Sequence, residues 1–207
     1  MVKIKICGIT NIEDANWVAN LGADYLGLIF AKDSKRKVSL DNAKEITSVV
    51  PPYIKKVGLF INEEPKVVDK MLALCKLDVL QFHGEETPEY CSQFKGAAEI
   101  IKGFRMKDEQ SLEQISQYDV DFYLLDAFVE GEWGGTGKVF NWDLALKAKD
   151  LGRPIFLAGG LNPENVTEAI KRVQPYAVDV ASGVESSPRR KSVELMQEFI
   201  DKVRKVK

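Results

Sequence analysis

One thiol and one carboxyl stand out as a candidate acid–base pair. Cys7 follows a short apolar run, Val2–Ile6, and Asp126 ends another, Phe122–Asp126. An ordinary thiol with a pKa of ~8.5 is only about 3% thiolate at pH 7, so a cysteine base needs help from its surroundings. Arg36, within Lys35-Arg-Lys37, is a permanent cation able to give that help or to grip a carboxylate through paired hydrogen bonds. A carboxylic acid such as Asp126 works as an acid only where desolvation raises its pKa. Taken singly these residues are ordinary: Cys7 a small buried hydrophobe, Arg36 a solvated charge, and His83, the sole histidine, a hydrogen-bonded structural residue. Their meaning depends on what brings them together.

A second kind of chemistry is written in glycine. Gly159-Gly160 and Ser182-Gly183 each follow an apolar run and can present main-chain N–H groups without side-chain interference. Beside a helix N-terminus, such turns form an anion site suited to phosphate, although glycine after a strand is also plain turn chemistry. Gly134-Gly-Thr-Gly-Lys138 has the look of a nucleotide loop, but Glu132 and Val139 stand where that motif requires Gly and Ser or Thr. No nucleotide cofactor is indicated. Lys102 could act as a Schiff-base lysine in an aldolase-like lyase, with a packed electrostatic support as the favoured reading. Cys7, Cys75 and Cys91 make an odd set without C-x-x-C spacing, arguing against disulfides and a zinc site; Cys75 and Cys91 read as packing residues.

The elements that must position these groups alternate from end to end. Runs rich in β-branched and aromatic residues occur at Val2–Ile6, Tyr25–Phe30, Ile54–Phe60, Val79–Phe82, Ile100–Phe104, Phe122–Asp126, Ile155–Ala158 and Ala177–Val180. Helical spacing separates them. Thr10-x-x-Glu13 predicts a capping box, Ser39 an N-cap, and Thr87-Pro88 and Asn162-Pro163 an N-cap followed by proline at the first helical position. Val193, Met196, Phe199, Ile200 and Val203 mark one face of a last helix. Eight strand–helix units in 207 residues, about 26 each, predict an α/β fold, a single (β/α)₈ barrel of the TIM type over residues 1–207, ahead of an open doubly wound sheet. In such barrels the working face is the C-terminal end of the strands. Cys7, His83, Asp126, Gly159-Gly160, Asp179 and Ser182-Gly183 fall there. Asp24, Asp78 and Asp121 open strands on the opposite face and read as structural.

Composition narrows the partners. Twenty-nine basic against 31 acidic residues give a formal charge of −2, with no basic field to hold nucleic acid or an anionic membrane. The longest apolar stretches fall far short of the ~18 residues a membrane helix needs, and Met1–Cys7 alternates charge with apolar residues, unlike a signal or transit peptide. The expectation is a reduced, cytoplasmic, metal-free domain, monomeric or homodimeric, acting on a small phosphorylated molecule.

Taken together the motifs resemble the phosphoribosylanthranilate isomerases. They are Lys5-Ile-Cys-Gly-Ile-Thr10, Ser34-Lys-Arg36 with Val38-Ser39, Val57-Gly-Leu-Phe60, Gln81-Phe-His-Gly-Glu85, Leu124-Leu-Asp126, Gly134–Lys138, Gly159–Asn165 and Asp179-Val-Ala-Ser-Gly-Val-Glu185. Each is weak alone; eight in order along the chain are specific. The resemblance implies an Amadori rearrangement in tryptophan biosynthesis without a cofactor. By that likeness Asp126 is the general acid and Cys7 the general base. Arg36 would hold the anthranilate ring or its carboxylate, with Asp179, Gln81 and His83 in the same substrate pocket, while Gly159, Gly160, Ala181, Ser182 and Gly183 would hold phosphate. Two departures are minor: Asn141 replaces the usual aspartate before Trp142, and Ala181-Ser-Gly183 stands where Ser-Ser-Gly is common. Rival readings are a ring-closing synthase of the indole-glycerol-phosphate type, the Schiff-base lyase, and a non-catalytic phosphate-binding barrel.

Overall fold

The computed structural model describes residues 1–127 and 142–206, and the glycine-rich segment Gly134–Lys138 and Asn141 lie outside them. Eight parallel strands close on themselves: β1 (Lys3–Cys7), β2 (Tyr25–Ile29), β3 (Lys55–Phe60), β4 (Val79–Phe82), β5 (Glu99–Met106), β6 (Phe122–Ala127), β7 (Ile155–Leu157) and β8 (Ala177–Val180). Closure comes from β1 against β8, with Lys5 opposite Asp179, while Cys7 pairs with Gly27 on the other side. Helices α1 (Ile12–Asn20), α2 (Leu40–Val49), α3 (Pro65–Leu74), α4 (Pro88–Ser92), α5 (Gln110–Ile115), α6 (Trp142–Ala148), α7 (Val166–Val173) and α8 (Val193–Lys205) alternate with the strands. The closed barrel replaces the open sheet considered as an alternative.

Alternation along each strand separates two cores. Tyr25, Val57, Val79, Ile101, Leu124 and Phe156 fill the barrel interior. Residues of the other parity, such as Ile4, Leu26, Leu80 and Leu125, meet the apolar stripes of the helices, including Met196, Phe199, Ile200 and Val203 of α8. The interior filling stops short of the C-terminal mouth, where Cys7, Ile29, Ala31 and Leu59 form a small separate cluster. That step leaves room for polar side chains.

Several boundaries differ from the sequence reading for identifiable reasons. β1 runs through Cys7 because pairing with β2 continues to Gly27. β5 extends to Met106 because Arg105 and Met106 pair with Asp126 and Ala127. Helix α1 is capped by Asn11, whose Oδ1 accepts the Asp14 N–H at 2.8 Å; the Thr10 hydroxyl instead donates to the Arg189 carbonyl at 2.8 Å. A tertiary acceptor has outcompeted the local capping box. Asn162 caps a turn ahead of α7, accepting the N–H groups of Glu164 and Asn165, so the helix itself starts at Val166. Ser39 and Thr87 cap α2 and α4 as expected. A short hairpin not foreseen in the sequence, β9 (Glu185–Ser187) with β10 (Arg190–Lys191), follows β8 and lies beside the C-terminal mouth.

Candidate active site

A cavity opens at the C-terminal end of the strands, and Cys7, Arg36, Gln81, His83, Asp126, Gly159, Gly160, Asp179, Ala181 and Ser182 all line it. These are the residues singled out from the sequence, less Gly183. Gly183 lies behind the wall: a Cβ there would come within 2.0 Å of the Leu161 carbonyl oxygen, so its lack of a side chain lets the β7 and β8 loops meet. Gly159 and Gly160 turn the first of these loops with φ of 83° and 69°, a left-handed conformation that side chains disfavour. The fold thereby brings two glycine-bearing loops to one side of the cavity. Asn165 Nδ2 fastens the turn by donating to the Gly160 carbonyl at 3.0 Å.

On the opposite wall a polar chain runs across three strands. Gln81 Nε2 lies 3.2 Å from His83 Nδ1, and His83 Nε2 lies 3.3 Å from Asp126 Oδ2. With Gln81 donating to Nδ1, the His83 proton sits on Nε2 and points at the carboxylate. Gln81 Oε1 is buried without a partner among the described residues. Space for the imidazole comes from β5, where a Cβ on Gly103 would sit 2.3 Å from His83 Nδ1. The backbone around His83 is braced from below. Lys102 Nζ donates to the Gly84 carbonyl at 2.7 Å and to Glu86 Oε2 at 3.2 Å, while Glu86 accepts the N–H of Gly84 and of Asn62. Lys102 is absent from the cavity wall and fully engaged, so it is a support and not a Schiff-base nucleophile.

Charge gathers around Cys7. Lys5, two residues earlier on the same face of β1, is wholly buried and donates from Nζ to Asp179 Oδ1 at 2.9 Å. Arg36 grips Glu185 through Nε and Nη2, both at 2.7 Å, and Lys191 Nζ reaches Glu185 Oε1 at 3.1 Å and the Ala181 carbonyl at 2.8 Å. Arg36 therefore lines the cavity with two of its donors already committed inside the protein. Burial pushes the Cys7 thiol above its ordinary value, with Lys5 the strongest opposing influence. Burial alone would push the Lys5 ammonium down, but Asp179 and Cys7 hold it above the usual lysine range. The Glu185 contacts raise Arg36, and burial lowers Lys191 against the pull of Glu185.

The arrangement is a water-accessible pocket with one thiol, one histidine-linked carboxyl and a loop pair able to receive an anion. A family profile described as N-(5'phosphoribosyl)anthranilate (PRA) isomerase matches residues 4–202. This chain belongs to that family. It is 48% identical over 200 residues to the N-(5'-phosphoribosyl)anthranilate isomerase of Geobacter sulfurreducens, covering 97% of each chain. The crystal structure of the phosphoribosyl anthranilate isomerase from Thermotoga maritima superposes with a TM-score of 0.93 at 41% identity over 99% of both chains. A further structure of the family, solved in complex with reduced 1-(o-carboxyphenylamino)-1-deoxyribulose 5-phosphate, is similar with a TM-score of 0.90 at 39% identity over 99% of both chains.

Three charged residues beside the pocket escaped the residue-by-residue reading. Lys5 carried a usable signal, an ionic side chain in an apolar strand at the same parity as Cys7. Glu185 and Lys191 carried none, because their relevance depends on the hairpin that packs beside the mouth. Among the described residues no group of His, Cys, Asp or Glu has the makings of a metal site, and no helix is long and apolar enough to cross a membrane.

Proposed function

We propose that this chain catalyses the Amadori rearrangement of N-(5'-phosphoribosyl)anthranilate to 1-(2-carboxyphenylamino)-1-deoxyribulose 5-phosphate, a step of tryptophan biosynthesis. The reading is carried by one observation: Cys7, Asp126 and the two glycine-bearing loops line the same cavity. The phosphate rests on main-chain amides of the loops around Gly160 and Ser182. This tether fixes the ribose between the two reacting side chains, which is where much of the rate enhancement in such a unimolecular step originates. Asp126 protonates the ring oxygen, the C1'–O bond breaks, and the anilino nitrogen takes up the positive charge as an iminium. Cys7, as thiolate, removes the C2' proton. The resulting enolamine tautomerises to the ketone, and a proton passes from Cys7 back to Asp126 through solvent before the next cycle.

The surrounding groups have distinct tasks. His83 fixes Asp126 by donating from Nε2 to its Oδ2. Arg36, steadied by Glu185, turns its remaining N–H donors to the anthranilate carboxylate, a contact suited to a planar guanidinium. Asp179 borders the pocket beside Cys7. The likeness to a structure solved with reduced 1-(o-carboxyphenylamino)-1-deoxyribulose 5-phosphate supports a 5-phosphate ligand for this chain, and the glycine-bearing β7 and β8 loops on the cavity wall are the part suited to its phosphate. A homodimer is compatible with the dimeric form named for the Thermotoga maritima relative.

The test is a coupled assay with freshly prepared phosphoribosylanthranilate. Turnover by the purified chain is expected, and its absence would overturn the reading. Cys7→Ala and Asp126→Asn should each retain affinity for a reduced product analogue while losing turnover.

A further inference from the structure

A base must ionise, and the burial of Cys7 opposes that. Neighbouring cations can offset the cost, but two of the three are occupied elsewhere: Arg36 is bound by both Nε and Nη2 to Glu185, and Lys191 is shared between Glu185 and the Ala181 carbonyl. Lys5 is placed differently. It rises inside the barrel from the same strand face as Cys7, with no solvent exposure, and Asp179 Oδ1 at 2.9 Å is the carboxylate that holds it. An ammonium has three donors, so the Asp179 bond leaves Lys5 with capacity for a second anion. We propose that Lys5 is the positioning cation that lets Cys7 ionise, with Asp179 anchoring its ammonium under the thiol.

The charge balance of the mouth supports this. Acting on Cys7 are Lys5 from its own strand, Asp179 from β8, Arg36 from the loop after β2 and Lys191 from the hairpin, with Glu185 of the hairpin bonded to both Arg36 and Lys191; His83 and Asp126 lie on the wall of the same cavity. On the Cys7 side, three cations meet two carboxylates, leaving one positive charge in a poorly hydrated place. A Cys7 thiolate neutralises it. Lys5 is wholly buried on Cys7's own strand, and an interaction between charges is strengthened where water is excluded. The same balance makes Asp179 a brake on ionisation, because it competes with the thiolate for Lys5.

The inference rests on Cys7 acting as the base, yet it can be tested apart from activity. The rate at which iodoacetamide, a neutral alkylating agent, modifies Cys7 is followed against pH by mass analysis of the Cys7 peptide. In Lys5→Met the titration midpoint should rise by at least about one unit, lowering the modification rate at pH 7 about tenfold, and the acid limb of kcat/KM should move to higher pH with it. Asp179→Asn should shift the midpoint downward. An unmoved or lowered midpoint in folded Lys5→Met overturns the proposal, even if that variant is less stable. Should Lys5→Met fail to fold, Lys5→Gln, which keeps a hydrogen-bond donor for Asp179 but carries no charge, decides: a raised midpoint supports Lys5, and an unchanged or lowered one overturns it. Loss of the base assignment would look different, as retained turnover in Cys7→Ala.

Discussion

At the N-terminal end of the barrel, Asp24, Asp78 and Asp121 each accept a main-chain N–H from the preceding strand, those of Ile4, Lys56 and Ile100, at 2.8–2.9 Å. At the C-terminal end, Lys5, Asp126, Asp179, Glu185 and Lys191 are equally well bonded, but mostly to other side chains around a cavity. Carboxylates at the first end close backbone hydrogen bonds every second unit and terminate the sheet. Those at the second end are held by lysine, arginine or histidine side chains in a poorly solvated space. The same residue type thus serves the backbone at one mouth and, on the proposed function, chemistry at the other, where the apolar filling of the interior gives way to a cavity.

That contrast can be broken from either side. The largest effect should come from the catalytic mouth: Asp126→Asn or Cys7→Ala should lower kcat by ~10²–10⁴-fold while the thermal midpoint stays near that of the parent. A loss below about tenfold would remove the acid–base assignment. Next in size is Gly103→Ala, whose methyl would meet His83 at 2.3 Å. Displacing the imidazole that fixes Asp126 should lower kcat/KM by roughly 10–100-fold, measured alongside a circular dichroism melt to show that the barrel persists.

The opposite mouth should respond in stability alone. Asp24→Ala leaves the buried Ile4 N–H without its acceptor and removes an anion from Lys3 and Arg204, so urea unfolding should report a loss of about 2 kcal/mol with kcat/KM unchanged. Although burial would raise the Asp24 carboxyl, its bonds to Lys3, the Ile4 N–H and Arg204 hold it below the ordinary 3.8. Its contribution is therefore complete above that ordinary value and disappears as pH falls through the lower folded one. Between pH 7 and pH 3 the parent should lose more stability than Asp24→Ala. The smallest effect belongs to Lys55→Ala, which removes a half-exposed pair with Glu99 and should cost no more than ~0.5 kcal/mol, shrinking further in high salt.

The fold was readable because it is built from local periodicity. Strands buried on both faces produce continuous apolar runs, and helices with one buried face produce stripes, so eight units could be counted before any contact was known. Val79–Phe82 and Ala177–Val180 even matched at both ends. Errors gathered where a side chain had a distant competitor, as when Thr10 turned to Arg189 and left the cap to Asn11. The pocket was legible for a related reason. Strand direction and parity decide which residue emerges at the mouth, and these set Cys7, His83, Asp126 and Asp179 on its wall.

By itself, then, the sequence determined the number of units, the face on which chemistry is placed and the residue types available there, all of which depend on spacing along one strand or helix. Tertiary structure decided the charge state and engagement of those residues. Arg36 is bound to a carboxylate 149 positions away, and Lys5 to one 174 positions away. Such partners are fixed by barrel closure and by the hairpin beside the mouth, and an electrostatic environment depends on distances through space that residue order does not encode.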